Sequence, residues 1–96
     1  MCDIYASTSP ELYESCTRSI RLDGAVTSIR LEQRFWAILE EIAAGEGSTL
    51  AGFINTLYRE VRERRGEIGN FASLLRVVCT VYLSNGATAE LSAADR

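Results

Sequence analysis

Cys2, Cys16 and Cys79 are the side chains best equipped for covalent chemistry in this chain, and their spacing supports none. No two of them stand in a C-x-x-C arrangement, and three thiols leave one unpaired in any intramolecular disulfide scheme. The sequence has no histidine, so the usual activator of a nucleophilic thiol and most zinc ligand sets are missing. Reduced thiols follow, with Cys79 as a packing residue. Glu40 and Glu41 are adjacent and would diverge around a helix, which makes them a poor acid/base pair. Gly45-Glu46-Gly47 has neither the lysine of a phosphate-binding loop nor the glycine spacing of a dinucleotide loop. The expectation is a chain that is not an enzyme, with no cofactor and no metal.

A different chemistry is carried by Arg30 and its neighbours. Residues 25–31 alternate, and period two separates them into two faces. Ile29 and Leu31 are apolar and point inward with Thr27, which leaves Val26, Ser28 and Arg30 outward. A two-stranded ribbon fits a DNA major groove about 12 Å wide, where bidentate arginine-to-guanine contacts are the commonest specific readout. Arg30 is therefore the strongest candidate for a base contact and Ser28 a less selective one. The net charge is −3, yet all ten basic residues are arginine and they are unevenly placed. Arg18, Arg21, Arg30 and Arg34 stand against only Asp23 and Glu32 between residues 17 and 34, so this segment is locally positive.

The elements that must position these side chains follow from pattern. Ser9-Pro10-Glu11 is a helix start, for a short helix ending near Cys16. Residues 17–22 alternate as a strand, Asp23-Gly24 is a turn signal, and residues 25–31 form a second strand. Ser-Ile-Arg-Leu occurs at residues 19–22 and again at 28–31. So short a repeat can come from chance or from the shared strand period, and it does not indicate a solenoid. The period then changes. Phe35, Ile38, Leu39, Ile42 and Ala43 mark a helix over about residues 32–44, ended by Gly45-Glu46-Gly47. Ser48 or Thr49 caps a second helix bearing Leu50, Phe53, Ile54, Leu57, Tyr58 and Val61, which stops at Gly66. Asn70 caps a third helix with Phe71, Leu74, Leu75, Val78 and Tyr82. From Ser84 the pattern is lost.

Ninety-six residues suffice for one domain. The expected division is an N-terminal arm over 1–16, a domain over 17–83 and a flexible tail over 84–96. The longest apolar stretch, residues 77–83, is interrupted by Thr80 and is far too short to span a bilayer. Met1-Cys2-Asp3 begins no basic n-region, so a cytoplasmic protein without a membrane partner is expected.

Strand, helix, turn and helix in that order leave the strand at residues 25–31 without an assured partner. The economical solution is a two-fold dimer in which each strand pairs antiparallel with its mate. Ile29, Leu31, Phe35, Trp36, Leu39, Ile54 and Leu57 would then form the dimer core. The free N–H groups at the start of the second helix would hold flanking phosphates. Residues 17–22 have no place in that scheme. If they joined the ribbon in both copies, four strands at about 4.8 Å spacing would fill or exceed the groove. They are expected instead to turn away and pack along the helices, with Arg18 and Arg21 free to reach phosphates.

Thr27-Ser28-Ile29-Arg30-Leu31-Glu32, Phe35-Trp36, Leu39, Gly47-Ser48-Thr49 and Ile54 together resemble the ribbon–helix–helix superfamily that includes the Arc and MetJ repressors. More narrowly, the chain is similar to short bacterial proteins that share this strand, the Phe-Trp pair and a late Asn70-Phe-Ala-Ser-Leu-Leu-Arg76 segment. The resemblance covers roughly residues 17–83. It implies a mainly α fold with a short β-ribbon, an intertwined ribbon–helix–helix homodimer with an additional C-terminal helix. It also implies a transcriptional regulator, such as a repressor, that binds double-stranded DNA as a homodimer, with higher-order assembly on DNA left open. The base-contacting roles would fall on Val26, Ser28 and Arg30, and the phosphate-holding roles on Ser48 and Thr49. The alternative is an antitoxin-like or adaptor module of the same fold, docking a protein partner through its C-terminal helix and the residues around Arg62, Arg64 and Arg65.

Overall fold

Asp23 and Gly24 have φ of 52° and 87°, the left-handed pair of a two-residue hairpin turn whose twist matches that of the strands it joins. In this computed structural model, which describes residues 2–87, the turn closes β1 (Ser15–Leu22) onto β2 (Ala25–Glu32) as one antiparallel ribbon. The register runs from Ser15 opposite Glu32 to Leu22 opposite Ala25, without a break.

This corrects the expectation for residues 17–22, which do not turn away to pack along the helices. The turn brings two consecutive strands together over a two-residue loop, and the resulting register puts Ile20 and Leu22 on the same face as Ile29 and Leu31. All four side chains are buried. The premise that β2 must find its partner in a second chain is corrected with it, because one edge of β2 is satisfied within the chain. Thr27 shares the inner phase but stays exposed, since at this end of the ribbon α4 covers β1 rather than β2.

Two short helices, α1 (Cys2–Ala6) and α2 (Pro10–Tyr13), precede the ribbon. The second is a single turn starting at Pro10 as expected, but it ends before Cys16, which already belongs to β1. α1 has no counterpart in the sequence pattern. The Glu14 carbonyl between α2 and β1 accepts from Gln33 N at 2.8 Å, so the arm supplies a partner for one of the free donors opening α3 (Gln33–Gly45).

α3 ends where Gly47, at φ 69°, donates to the Ala44 carbonyl and Ser48 N donates to the Ala43 carbonyl. Of the two candidate caps for α4 (Leu50–Arg65) the structure uses Thr49, whose Oγ1 accepts from Gly52 N at 3.0 Å. Asn70 caps α5 (Phe71–Ala87) through Oδ1, which accepts from Ser73 N at 3.0 Å. α5 runs to Ala87, past the Ser84 boundary expected for the tail, because backbone hydrogen bonding continues after the apolar period has ended. The rest of the expected tail, residues 88–96, lies outside the described residues.

The core is built where the inner face of the ribbon meets the three long helices. Leu31, Trp36, Leu39, Ile54, Leu75 and Cys79 are fully buried, with Ile20, Leu22, Ile29, Ile38 and Ile42 nearly so. Ile29, Leu31, Trp36, Leu39 and Ile54, expected in a dimer core, are thus covered by their own chain; Phe35 and Leu57 are half-buried at its margin. Trp36 bridges ribbon and helices. Its ring is closed from solvent, and Nε1 donates to the Cys16 carbonyl of β1 at 2.8 Å. Among the described residues no buried side-chain nitrogen or oxygen lacks a hydrogen-bond partner. Trp36→Ala should therefore destabilise the folded chain by about 3–5 kcal/mol, the range for deleting a buried large aromatic. Urea unfolding followed by circular dichroism measures it, and a loss below about 1 kcal/mol would contradict this bridging role.

Candidate nucleic-acid interface

Period two and the hairpin register place six exposed side chains together on the outer face of the ribbon, in the same phase as Ser15 and Glu32 at its end. Thr17 stands opposite Arg30, Ser19 opposite Ser28, and Arg21 opposite Val26. All six are exposed, Val26 to 63% despite being apolar. Arg30 makes no hydrogen bond or ion pair among the described residues, so its planar fork of donors is free for a ligand. Arg21 Nη1 donates to the Gly24 carbonyl at 3.1 Å, an exposed contact that a ligand can displace. Val26, Ser28 and Arg30 thus stand side by side as anticipated, and Thr17 and Ser19 join them unforeseen. The strand alternation at residues 17–22 already carried that signal; what it lacked was the pairing partner.

Arg18 belongs to the other face. It lies opposite Ile29 in the register, pairs with Glu40 at 3.0 Å, and stacks over Trp36 with its Cζ 4.9 Å from the ring centroid. Arg18, expected to be free along with Arg21, is instead engaged with Glu40 and Trp36. Residues three apart on a strand cannot share a face. Arg18 covers the tryptophan, a cation–π contact that adds to its packing.

Electrostatics around the face are set by ion pairs reaching across the fold. Within residues 15–32 the acidic side chains are Asp23 and Glu32. Asp23 accepts from Arg59 Nε at 3.1 Å and Arg62 Nη1 at 3.2 Å, while its backbone N–H donates to Asn55 Oδ1 at 2.9 Å. Glu32 accepts from Arg76 through Nε at 2.9 Å and Nη2 at 3.5 Å. The Arg76 guanidinium, by this hydrogen bond first, holds the Glu32 carboxyl below the usual carboxylate range. Both acids of the ribbon are therefore ion-paired to arginines of α4 and α5, and Glu32, in the same phase as Arg30 at the end of the ribbon, also feels the Arg30 charge.

Ser48 and Thr49 are exposed at the start of α4. The Thr49 hydroxyl is occupied as the cap, and Ser48 Oγ donates to the Thr49 carbonyl at 3.1 Å. Gly52 makes room for both, since a Cβ there would lie 2.9 Å from Thr49 Oγ1 and 3.2 Å from Ser48 Oγ. α4 grips the ribbon's turn through Asn55, Arg59 and Arg62, so the cap lies roughly 10 to 20 Å along the helix from this clasp. The structure does not bring Ser48 and Thr49 onto the six-residue face. Cys79, the buried thiol, donates to the Phe35 carbonyl at 3.6 Å, and burial pushes its pKa up to about 11. It stays protonated and unreactive at neutral pH.

The ribbon–helix–helix domain model matches residues 15–83, from the first residue of β1 to the last turns of α5. The chain belongs to the ribbon–helix–helix family. It is similar to the solved structure of an uncharacterized protein from Bordetella pertussis Tohama I, at 45% identity and a TM-score of 0.89. That alignment covers 93% of this chain and 71% of the other. No curated protein matches the chain. Ribbon–helix–helix domains are typically non-enzymatic regulators, and the family generally binds DNA as dimers. Among the described residues no helix is long and apolar enough to cross a membrane.

The Glu32–Arg76 pair fixes a pH dependence. A carboxyl whose pKa is lowered on folding adds stability above the ordinary carboxylate range and loses it as pH falls through the lowered value. Wild-type stability should therefore drop on acidification below about pH 4, and Arg76→Met should flatten that drop. Urea midpoints across this range measure it. An unchanged acid slope in the variant would show that the pair contributes nothing.

Proposed function

We propose that this ribbon–helix–helix protein is a cytoplasmic DNA-binding transcriptional regulator, acting as a homodimeric repressor that presents the outer face of its β1–β2 hairpin to the major groove. One observation supports the reading: Arg30 makes no hydrogen bond or ion pair on an exposed face beside hydroxyl groups, while Asp23 and Glu32 are ion-paired to arginines of α4 and α5. Such a face suits guanine and the other base edges of the major groove. Val26, Ser28 and Arg30 contact bases, Val26 through apolar contact with a thymine methyl. The N–H groups at the start of α4, with Ser48 and Thr49, hold phosphate and set orientation. The whole-chain charge of −3 is compatible with this because the acids are spread over helices and arm while the face is positive.

The two chains of the dimer meet through helices rather than strand edges. Joining β2 to its mate would give four strands, whose three gaps of about 4.8 Å already exceed a groove about 12 Å wide. The helices offer a mixed groove of about 450 Å³ between α3, α4 and α5, where Ile42, Phe53, Leu57, Val78, Val81 and Tyr82 stand beside Glu46, Thr56, Glu60 and Asn85. Val77, Val81 and Leu83 leave α5 with 55%, 49% and 44% exposure, more apolar surface than a lone helix needs to show. The same surface favours the second reading, a module that docks a protein partner through α5 and acts without DNA.

Mobility shift on the DNA upstream of the protein's own gene separates the two. A salt-dependent shift is expected, and Arg30→Ala should weaken it by about 1–3 kcal/mol while relaxing sequence preference. A wild-type protein that shifts no duplex at low salt would leave the docking module as the function. Val81→Arg, at a half-exposed position, should convert the dimer into a folded monomer in sedimentation. A wild-type chain already monomeric at low micromolar concentration would remove the homodimer.

A further inference from the structure

The Glu32 carboxylate uses the partner most remote from it in sequence. Glu32 is the N-cap residue of α3, yet its side chain makes no capping hydrogen bond. It also lies two residues from Arg30 in the same phase of β2, about 7 Å along the strand, a gap that an arginine and a glutamate can close. Instead it accepts from Arg76 of α5, at 2.9 Å from Nε and 3.5 Å from Nη2. Arg76 is firmly placed for this. Leu75 beside it and Cys79 one turn further on are fully buried, and the Cys79 thiol donates to the Phe35 carbonyl. β1 offers no ion pair here, since Ser15 stands opposite Glu32 and Thr17 opposite Arg30. The cations acting on Glu32 are Arg76 and Arg30, the second through charge alone. Arg30 itself is left without a hydrogen bond or ion pair among the described residues.

We propose that Arg76 is a positioning residue for DNA recognition: by holding the Glu32 carboxylate it keeps that carboxylate from closing on Arg30, so that α5 leaves the ribbon's arginine open to a ligand. This role rests on the DNA-binding function proposed above and adds a control to it. Arg76 touches no DNA. It acts through Glu32, from a helix that lies outside the strand–helix–helix unit. Without Arg76, the cation left to Glu32 is Arg30, on the same strand and in the same phase. An exposed arginine–glutamate pair is weak, so the carboxylate masks Arg30 for part of the time and not permanently. Each time it does, it occupies the guanidinium fork that a ligand needs and sets a negative charge beside the phosphate backbone. The Arg76–Glu32 contact removes both effects at once.

Affinity for a duplex that the wild type selects from a randomised pool tests this, with the full chain at one fixed salt concentration and circular dichroism to check folding. Arg76→Met should weaken binding by roughly two- to fivefold, the effect of an exposed ion pair competing for Arg30. Adding Glu32→Gln to Arg76→Met should restore wild-type affinity with Arg76 still absent. Adding Arg76→Met to Arg30→Ala should weaken binding little further. A double variant at 32 and 76 that stays as weak as Arg76→Met would make Arg76 a phosphate contact or a purely structural residue, and overturns the proposal. So does an Arg76→Met loss that persists in full on Arg30→Ala, which would be an effect of net charge. The Glu32 carboxyl, followed by NMR through a pH titration, reads the same contact without DNA. In Arg76→Met it should titrate between its wild-type position and the ordinary carboxylate range, and adding Arg30→Ala should bring it into that range. If Arg30→Ala leaves that titration unmoved, Glu32 does not turn to Arg30 and the proposal falls while DNA binding stands. A wild type that binds no duplex overturns the DNA-binding function, and the recognition role of Arg76 with it.

Discussion

Everything on the candidate face depends on two consecutive residues at positive φ. Asp23 and Gly24 turn the chain within two residues, and that turn sets the register of the whole hairpin. A slip of one residue in either strand would exchange that strand's faces, exposing its two buried aliphatic side chains and burying its outward arginine. Gly24 takes the left-handed conformation without strain, as any residue with a Cβ would not. Asp23 accepts it under restraint, with its carboxylate held by Arg59 and Arg62 and its N–H by Asn55. The clasp that permits the turn also fastens the ribbon to α4. Local conformation and tertiary docking are joined at one residue.

Behind the ribbon, the chain handles its acidity by position. Asp23, Glu32 and Glu40 each accept from an arginine remote in sequence. These pairs are partly exposed and individually modest in stability. Their larger effect is on the field in front of the ribbon, where carboxylates near Arg21 and Arg30 would repel a polyanion. Arg18 shows the economy of this arrangement, since one side chain covers Trp36 and neutralises Glu40. A locally positive face on an acidic protein follows from such pairing, and net charge alone could not reveal it.

Membership of the ribbon–helix–helix family and likeness to a solved bacterial structure establish the fold, and chemistry has to be argued from the site. Here the site is a two-stranded ribbon that one chain completes. Behind it, Val77 and Val81 of α5 remain uncovered.

Much of this was present in the residues themselves. Strand alternation, the switch to helical spacing after Leu31, the glycine stops and the Asn70 cap determine element type and order, because each is a local property of backbone preference and side-chain period. The outward phase of Val26, Ser28 and Arg30 is equally local. The opposite phases of Arg18 and Arg21 were legible too, from parity alone. Tertiary structure decided what needs a second segment in space. It chose β1 as the partner of β2, because a two-residue loop brings them together at small entropic cost. It assigned Asp23 and Glu32 to arginines 36 to 44 residues away, pairings that no local pattern encodes. It closed the core around Trp36 within one chain. Register itself is of this kind, since it is a relation between positions on two strands and not a property of either strand.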